Sequence, residues 1–436
     1  MKSSTKHVRA LTCATFALLA VSSCSLPGPA DGGDGDGPGG SGASDGAGDG
    51  DSCASAICLT TGGSTAAGGG SSGGDGAGGL LGSGGAGSGG TLSSGGNPGA
   101  GGTSNGELPF LIGADITHTV QDEYWGATYT DDGVEKPLEV ILKDHGFNAV
   151  RIDTFVDPSA PGGYAENEPE PFRNLAQTIT LAQRVKAQGM YFLLDLHMSD
   201  TWTNPAAQAT PSAWSNLSFT DLQEAVYDYV YDAVTQLEDA NALPDMVQIG
   251  NEITNGTLWE SGRILNDDFS GLAALLEAGI SAVRAVDPNI LVMLHIEKCN
   301  NLATTRWWLD GILDEGVEFD VLGQSCYGAT SHHAGYQGTP AEWTTVFNTI
   351  AAEYPDLKFV IAEYSSQQRA ANDAVFNLPD NRGLGTFNWD PTRFYETHPN
   401  LPLFEPDSAW NDFVVVEEQM AIYDQMAADY AAAGRL

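Results

Sequence analysis

The sequence predicts an α/β protein: a (β/α)8 TIM barrel preceded by a disordered Gly/Ser/Asp-rich linker. Three observations lead there. Residues 107–436 carry eight apolar runs with helix-patterned stretches between them. The runs are near-continuously hydrophobic, as strands of a parallel sheet covered on both faces must be. Eight strand–helix units in about 330 residues match the size of a closed eightfold barrel. An open doubly wound sheet is the alternative, but no GxGxxG or GxxxxGK[ST] follows the first run, so a nucleotide fold has little support.

In chain order, the predicted strands are "FLIGADI" (Phe110–Ile116), "FNAVRID" (Phe147–Asp153), "MYFLLDLH" (Met190–His197) and "DMVQIG" (Asp245–Gly250), then "ILVMLHI" (Ile290–Ile296), "FDVLGQS" (Phe319–Ser325), "KFVIAEY" (Lys358–Tyr364) and "LGTFNW" (Leu384–Trp389). Between them, "EKPLEVILKDHG", "NLAQTITLAQRVKAQG", "DLQEAVYDYVYDAVTQLEDA" and "FSGLAALLEAGISAVRAV" have helical periodicity. The first two end in Gly146 and Gly189, the residue type suited to the left-handed position after a helix. "NDFVVVEEQMAIYDQMAADYAAAG" is expected to close the chain as the last helix, and Trp307 and Trp308 fall in a helical stretch with the look of core.

Ahead of the barrel lie two other segments. Residues 1–24 read as an export signal. Lys2, Lys6 and Arg9 precede the apolar "ALTCATFALLAV", which is too short to span a membrane. "VSSC" then resembles a lipobox, in which Cys24 would carry a lipid anchor; plain cleavage nearby is the alternative. Residues 25–106 are Gly, Ser, Ala and Asp with almost nothing apolar, a composition that cannot bury a core and acts as a tether. The expected location is outside the cytoplasm, extracellular or at the cell surface as a lipoprotein. Cys53 and Cys58 in the linker could close a small loop, and Cys299 and Cys326, each following a strand, could pair; spacing alone does not decide it.

The formal net charge is −39. Removing the seven linker Asp and the three basic signal residues from totals of 57 acidic and 18 basic residues leaves 50 and 15, so the folded part carries −35. Such a field repels phosphate backbones and anionic membranes, which argues against nucleic-acid binding, while a neutral ligand is not penalised. Solubility or salt adaptation explains the charge equally well.

Barrel active sites lie at the C-terminal ends of the strands. Those ends supply Asp115; Arg151 and Asp153; Asp195, His197, Ser199, Asp200 and Trp202; Asn251 and Glu252; His295 and Glu297; Ser325 and Tyr327; Glu363 and Tyr364; and Trp389 and Asp390. Glu252 on the fourth strand and Glu363 on the seventh face each other across the predicted mouth. Two opposed carboxyls are what glycoside hydrolysis requires, one as proton donor and one to attack or stabilise the oxocarbenium-like carbon. Arg151 and His197 are placed to keep Glu363 ionised, Asn251 to bond a sugar hydroxyl, and Trp202, Trp259 and Trp389 to offer flat faces to a pyranose. Trp214 and Trp343 read as either core or site. The oxygen side chains of Asn372, Asp373, Asp380 and Asn381 make a calcium loop conceivable, without EF-hand spacing. No metal site is expected, and the chemistry requires no cofactor.

"GADIT", "ILKDHGFNAVRI", "LAQRVKAQGMYFLLDLHMSDTWTNPAAQ", "PDMVQIGNEITNGTLW" and "VIAEY" resemble glycoside hydrolase family 53, the arabinogalactan endo-β-1,4-galactanases. The resemblance covers most of residues 108–364. It implies a (β/α)8 barrel, a retaining mechanism with Glu252 as acid/base and Glu363 as nucleophile, and Asp115, Arg151, His197, Asn251 and His295 around the cleft. The implied partner is a neutral polysaccharide, β-1,4-galactan, acted on by an exported monomer. A mannanase or glucanase using the same two-glutamate chemistry, or a non-catalytic glycan-binding protein, are the rivals. The chain departs from the family pattern at Cys326-Tyr327, where two aromatics are usual, at "YSSQQR" after the seventh strand, where a longer loop is usual, and at the eighth strand, which reads "FNWDPTRF".

Overall fold

The computed structural model describes residues 108–328, 338–392, 402–408 and 411–436. The signal, Cys24, the linker and the Cys53–Cys58 pair lie outside the described residues.

All eight predicted strands form: β1 (Leu111–Asp115), β2 (Ala149–Thr154), β3 (Tyr191–Leu196), β4 (Met246–Ile249), β5 (Leu291–Ile296), β6 (Val321–Ser325), β7 (Lys358–Tyr364) and β8 (Gly383–Trp389). They pair in parallel and in sequence order, and β8 pairs back onto β1, closing the barrel. Helices α1 (Leu138–Asp144), α2 (Leu175–Ala187), α3 (Phe219–Asp239), α4 (Ser270–Val286), α5 (Leu302–Asp314), α6 (Pro340–Glu353), α7 (Gln368–Phe376) and α8 (Glu417–Ala432) follow the strands in turn. Local chemistry sets their starts. Asn174, Ser218 and Asn301 each accept a backbone N–H of the first turn, and Thr339 with Glu342 forms a capping box ahead of Pro340. Gly146 and Gly189 have positive φ. At Gly146 a Cβ would come within 2.4 Å of Ala427 on α8, so a side chain there would also push that helix away.

Side-chain parity divides the core in two. Outward-facing Ile112, Val150, Leu194, Val247, Leu294 and Phe359 pack under the helices. Inward-facing Leu111, Ala149, Leu193, Met246, Met293, Val360 and Phe387 fill the barrel floor. Gly113 is open so that Phe387 can cross the axis; a Cβ there would lie 2.4 Å from the ring. Above this apolar plug the same inward positions turn polar, and that layer is where the site begins.

The last helix is shorter than its sequence pattern. Asp412–Val415 is a strand, paired with Thr128–Asp131 and Phe404–Pro406 in a small sheet outside the barrel. The β-branched run Val414–Val416 favours extended backbone over helix. Trp308 and Trp343 are core, and Trp214 packs half-buried against it. Asn372 bonds Thr386 and the Tyr364 hydroxyl, while Asp373 is engaged by Arg369 and Tyr430, so two of the four oxygen side chains considered for calcium hold the fold together. Cys299 and Cys326 are disulfide-bonded, with Cα atoms 5.4 Å apart.

Candidate active site

Two backbone irregularities aim the glutamates. Past β4, Gly250 has φ 79° and Glu252 itself adopts φ 49°, ψ 49°. A left-handed glutamate is costly, on the order of 1–3 kcal/mol, and such strain concentrates at working sites. The second irregularity is in β7. The ladder to β6 runs Gln324–Ile361 and then Ser325–Glu363, skipping Ala362. Val360 and Ala362 face inward, so strict alternation would send Glu363 out to the helices. The bulge restores Glu363 to the mouth and sends Tyr364 into the outer core.

Arg151 is the hub beneath them. It rises from β2 one inward step above Ala149 and is buried. Its Nη1 donates to Asp115 Oδ2 at 2.8 Å, and its Nε to Gln248 Oε1 at 3.1 Å. Its Nη2 donates to Asp195 Oδ2 at 2.7 Å and Asn251 Oδ1 at 2.9 Å, and lies 3.1 Å from Glu363 Oε1. Burial opposes the charge, but Asp195, Glu363 and Asp115 outweigh it and hold Arg151 cationic.

The two carboxyls have different company. Glu363 accepts from the Tyr327 hydroxyl at 2.8 Å as well as facing Arg151. Glu252 accepts from Ser325 Oγ at 2.7 Å. Burial raises both, and Glu252 stands well above the ordinary value because repulsion from Glu363 adds to burial, with the Ser325 hydroxyl and Arg151 opposing. For Glu363, Arg151 and Tyr327 work against burial. Both carboxyls are raised, Glu252 with the added repulsion of Glu363 and Glu297 and Glu363 with Arg151 as its leading counterweight, a difference in the sense that an acid and a nucleophile need.

The remaining predicted residues form a support around this pair. Asp115 is occupied by Arg151 and by Thr117, so it orients the hub. Asn251 accepts from Arg151 and donates Nδ2 to Thr203 O at 2.9 Å, leaving one Nδ2 hydrogen for a ligand. His295 is buried, with Nε2 3.0 Å from Ser325 Oγ and Nδ1 3.0 Å from Asn251 Oδ1. Burial, then the nearby Arg151, holds its imidazole neutral. His197 stands one step further from Glu363: its Nε2 is 3.2 Å from Asp195 Oδ2 and its Nδ1 2.9 Å from Thr203 Oγ1. Trp202 is half-buried beside it, with the Arg173 guanidinium 4.0 Å from its ring centre. Trp389 ends β8 level with Asp115, half-buried at the rim. Trp259 carries Arg263 over its ring at 4.2 Å.

Three supporting residues are additions to the predicted set. Gln248 bridges Arg151, Asp195 and Gly250 from inside β4; its inward parity with Met246 was the available signal. Thr203 binds His197 and Asn251. Arg173, buried against Asp153 at 2.5 Å, underlies Trp202. The last two depend on loop paths that no sequence period encodes.

A closed eightfold barrel with two buried, unequally titrating glutamates at the C-terminal ends of β4 and β7 is the architecture of a glycoside hydrolase. Comparison with known proteins agrees. Residues 111–375 match the model of glycosyl hydrolase family 53, and the chain belongs to that family. An arabinogalactan endo-β-1,4-galactanase of Humicola insolens is 35% identical over 308 residues, covering 64% of this chain and 88% of the relative. An uncharacterized protein of Niallia circulans is 40% identical over 228 residues, 51% of this chain and 60% of that one. The solved catalytic domain of the Ignisphaera aggregans family 53 enzyme superposes with a TM-score of 0.62 at 29% identity, covering 73% of this chain and 96% of that one. A fungal β-1,4-galactanase structure superposes with a TM-score of 0.62 at 25% identity, covering 73% of this chain and all of that one.

Proposed function

We propose that this glycoside hydrolase is an exported, retaining endo-β-1,4-galactanase acting on the galactan side chains of type I arabinogalactan and pectin. The observation that carries the reading is the different company of the two glutamates: Glu363 is held by Arg151 and Tyr327, while burial and repulsion from Glu363 push the Glu252 titration well up. The galactanase relatives supply the substrate class. In the first step the Glu252 proton passes to the glycosidic oxygen as the Glu363 carboxylate attacks the anomeric carbon, giving a glycosyl ester and a free chain end. In the second, Glu252 takes a proton from water, whose oxygen displaces Glu363. The free Nδ2 hydrogen of Asn251 is available to a hydroxyl beside the cleaved bond, and Trp202 and Trp389 to sugar faces. Galactan is neutral, so a strongly acidic domain meets no charge barrier.

The mature chain is further proposed to be a monomer anchored through Cys24, with residues 25–106 spacing the barrel from the membrane. Incorporation of labelled palmitate that is lost in Cys24→Ala supports the anchor, and equal labelling of the variant overturns it.

Incubation with β-1,4-galactan, β-mannan and mixed β-glucan, reading new reducing ends, tests the activity. Release from galactan is expected. Release only from another glycan overturns the substrate, and binding without release overturns catalysis. Glu363→Gln is expected to lower turnover by on the order of 10³-fold or more while binding persists.

A further inference from the structure

We propose that the Cys299–Cys326 disulfide is a positioning device for both glutamates, holding the two hydroxyls that tune them in one geometry. The inference rests on Glu252 and Glu363 being the reacting pair. Cys326 lies between Ser325 and Tyr327 in the chain. Ser325 Oγ donates to Glu252 Oε1 at 2.7 Å, and Tyr327 Oη donates to Glu363 Oε2 at 2.8 Å. One half-cystine therefore separates the hydroxyl partner of one carboxyl from that of the other.

The regular ladder does not extend this far. β6 last pairs with β5 at Gln324–Ile296 and with β7 at Ser325–Glu363. Beyond it, Cys326 N donates to Glu363 O at 2.8 Å, Cys299 N donates to Ser325 O at 3.3 Å, and the disulfide joins the two segments covalently. Both cysteines are buried. The other arm is also part of the site. Cys299 follows Glu297 and Lys298, which pair at 2.6 Å, and the Glu297 carboxylate adds to the repulsion at Glu252. A bridge needed only to restrict the unfolded chain would serve anywhere in the fold. This one ties the strand-end loop bearing Glu297 to the strand-end loop bearing Tyr327, directly beside the reacting pair.

Without the bridge, Ser325 keeps its His295 contact and both residues keep their packing and the backbone hydrogen bonds at the strand end, but the covalent tie that fixes the segment between them is gone. Displacements of about 1 Å at such a site cost rate more than affinity, up to about 10²-fold. Each lost hydroxyl contact also removes a hydrogen bond that favours the ionised form, which moves that carboxyl's titration upward.

The test compares the full chain with its Cys299→Ser/Cys326→Ser form. Where that variant folds poorly, the reference is wild-type protein reduced by a dithiol, which takes up the bridge as its own disulfide and leaves two thiols, then alkylated and confirmed by peptide mass. Two readouts are taken: kcat and KM on β-1,4-galactan, and the titration midpoints of Glu252 and Glu363 by ¹³C-carboxyl NMR, which needs no substrate. Expected are a kcat lower by about tenfold, KM within about threefold, and both midpoints moved up by about half a pH unit. Midpoints unchanged beside a lowered Tm would show a structural staple and overturn the proposal. Failure of the disulfide-intact enzyme on galactan would overturn the substrate reading, while the NMR comparison would still decide this one.

Discussion

Arg151 Nη2 lies 3.1 Å from Glu363 Oε1, and the same nitrogen donates to Asp195 Oδ2 at 2.7 Å. One buried cation thus braces the barrel mouth and faces one glutamate of the proposed reacting pair. Arg151→Met would leave Asp115, Asp195 and Glu363 without their shared counter-charge. Removing one partner of a buried pair costs about 3–5 kcal/mol, to be read by chemical denaturation. Glu363 would also lose the cation that works against burial, so its carboxyl would titrate higher. The acidic limb of kcat/KM should therefore move to higher pH. An acidic limb that stays put would remove Arg151 from the chemistry and leave it as a structural ion.

Ser325→Ala tests the other carboxyl. The Ser325 hydroxyl donates to the ionised form of Glu252 and so lowers its titration. Its loss should raise the Glu252 midpoint and extend the basic limb of the kcat/KM profile upward, because that limb marks deprotonation of the acid. The expected change in stability is about 1 kcal/mol, the scale of one buried hydrogen bond. A basic limb that moves down, or does not move, would mean that Ser325 serves His295 and not Glu252.

Trp202 has Arg173 at 4.0 Å from its ring centre and His197 packed edge-on at 5.4 Å. A ring fixed in this way is suited to stacking on a sugar. Trp202→Ala should raise KM about fivefold, corresponding to about 1 kcal/mol of aromatic contact, with a smaller effect on kcat. A change in kcat alone would place Trp202 outside the sugar-binding surface.

The legible and the hidden parts of this site differ by how far their causes lie along the chain. Glu252 and Glu363 stood out because each ends an apolar run, and strand order set them on opposite sides of one mouth. Arg151, Asp195 and His295 followed from the same logic, since inward parity carries from the apolar floor to the polar layer. What no local pattern encoded was cross-strand register. The skipped Ala362 that turns Glu363 inward exists only relative to β6. The same holds for the Thr128–Asp131 and Asp412–Val415 pairing, whose partners lie nearly 300 residues apart, so the Val run was absorbed into the helix pattern beside it. Thr203 and Arg173 took their places through loop paths. Gln248 was within reach of the parity argument, but a single Gln inside a four-residue strand reads as an interruption until its neighbours are known.

The raised titration of Glu252 makes stability depend on pH in a defined direction. Folded, the carboxyl titrates well above the ordinary glutamate value of 4.5, so between that value and its folded midpoint the native state holds a proton that the unfolded chain has released. That contribution is fully present below about pH 4.5 and is lost as pH rises through the folded midpoint. Glu252→Gln keeps a neutral side chain at every pH and does not lose it. The variant should therefore match the wild type in Tm near pH 4 and exceed it near pH 8, with the gap opening steadily between. Melting both proteins across this range checks the prediction. A gap that closes toward high pH would show that Glu252 is ionised in the resting enzyme, and the assignment of acid and nucleophile would have to be reversed.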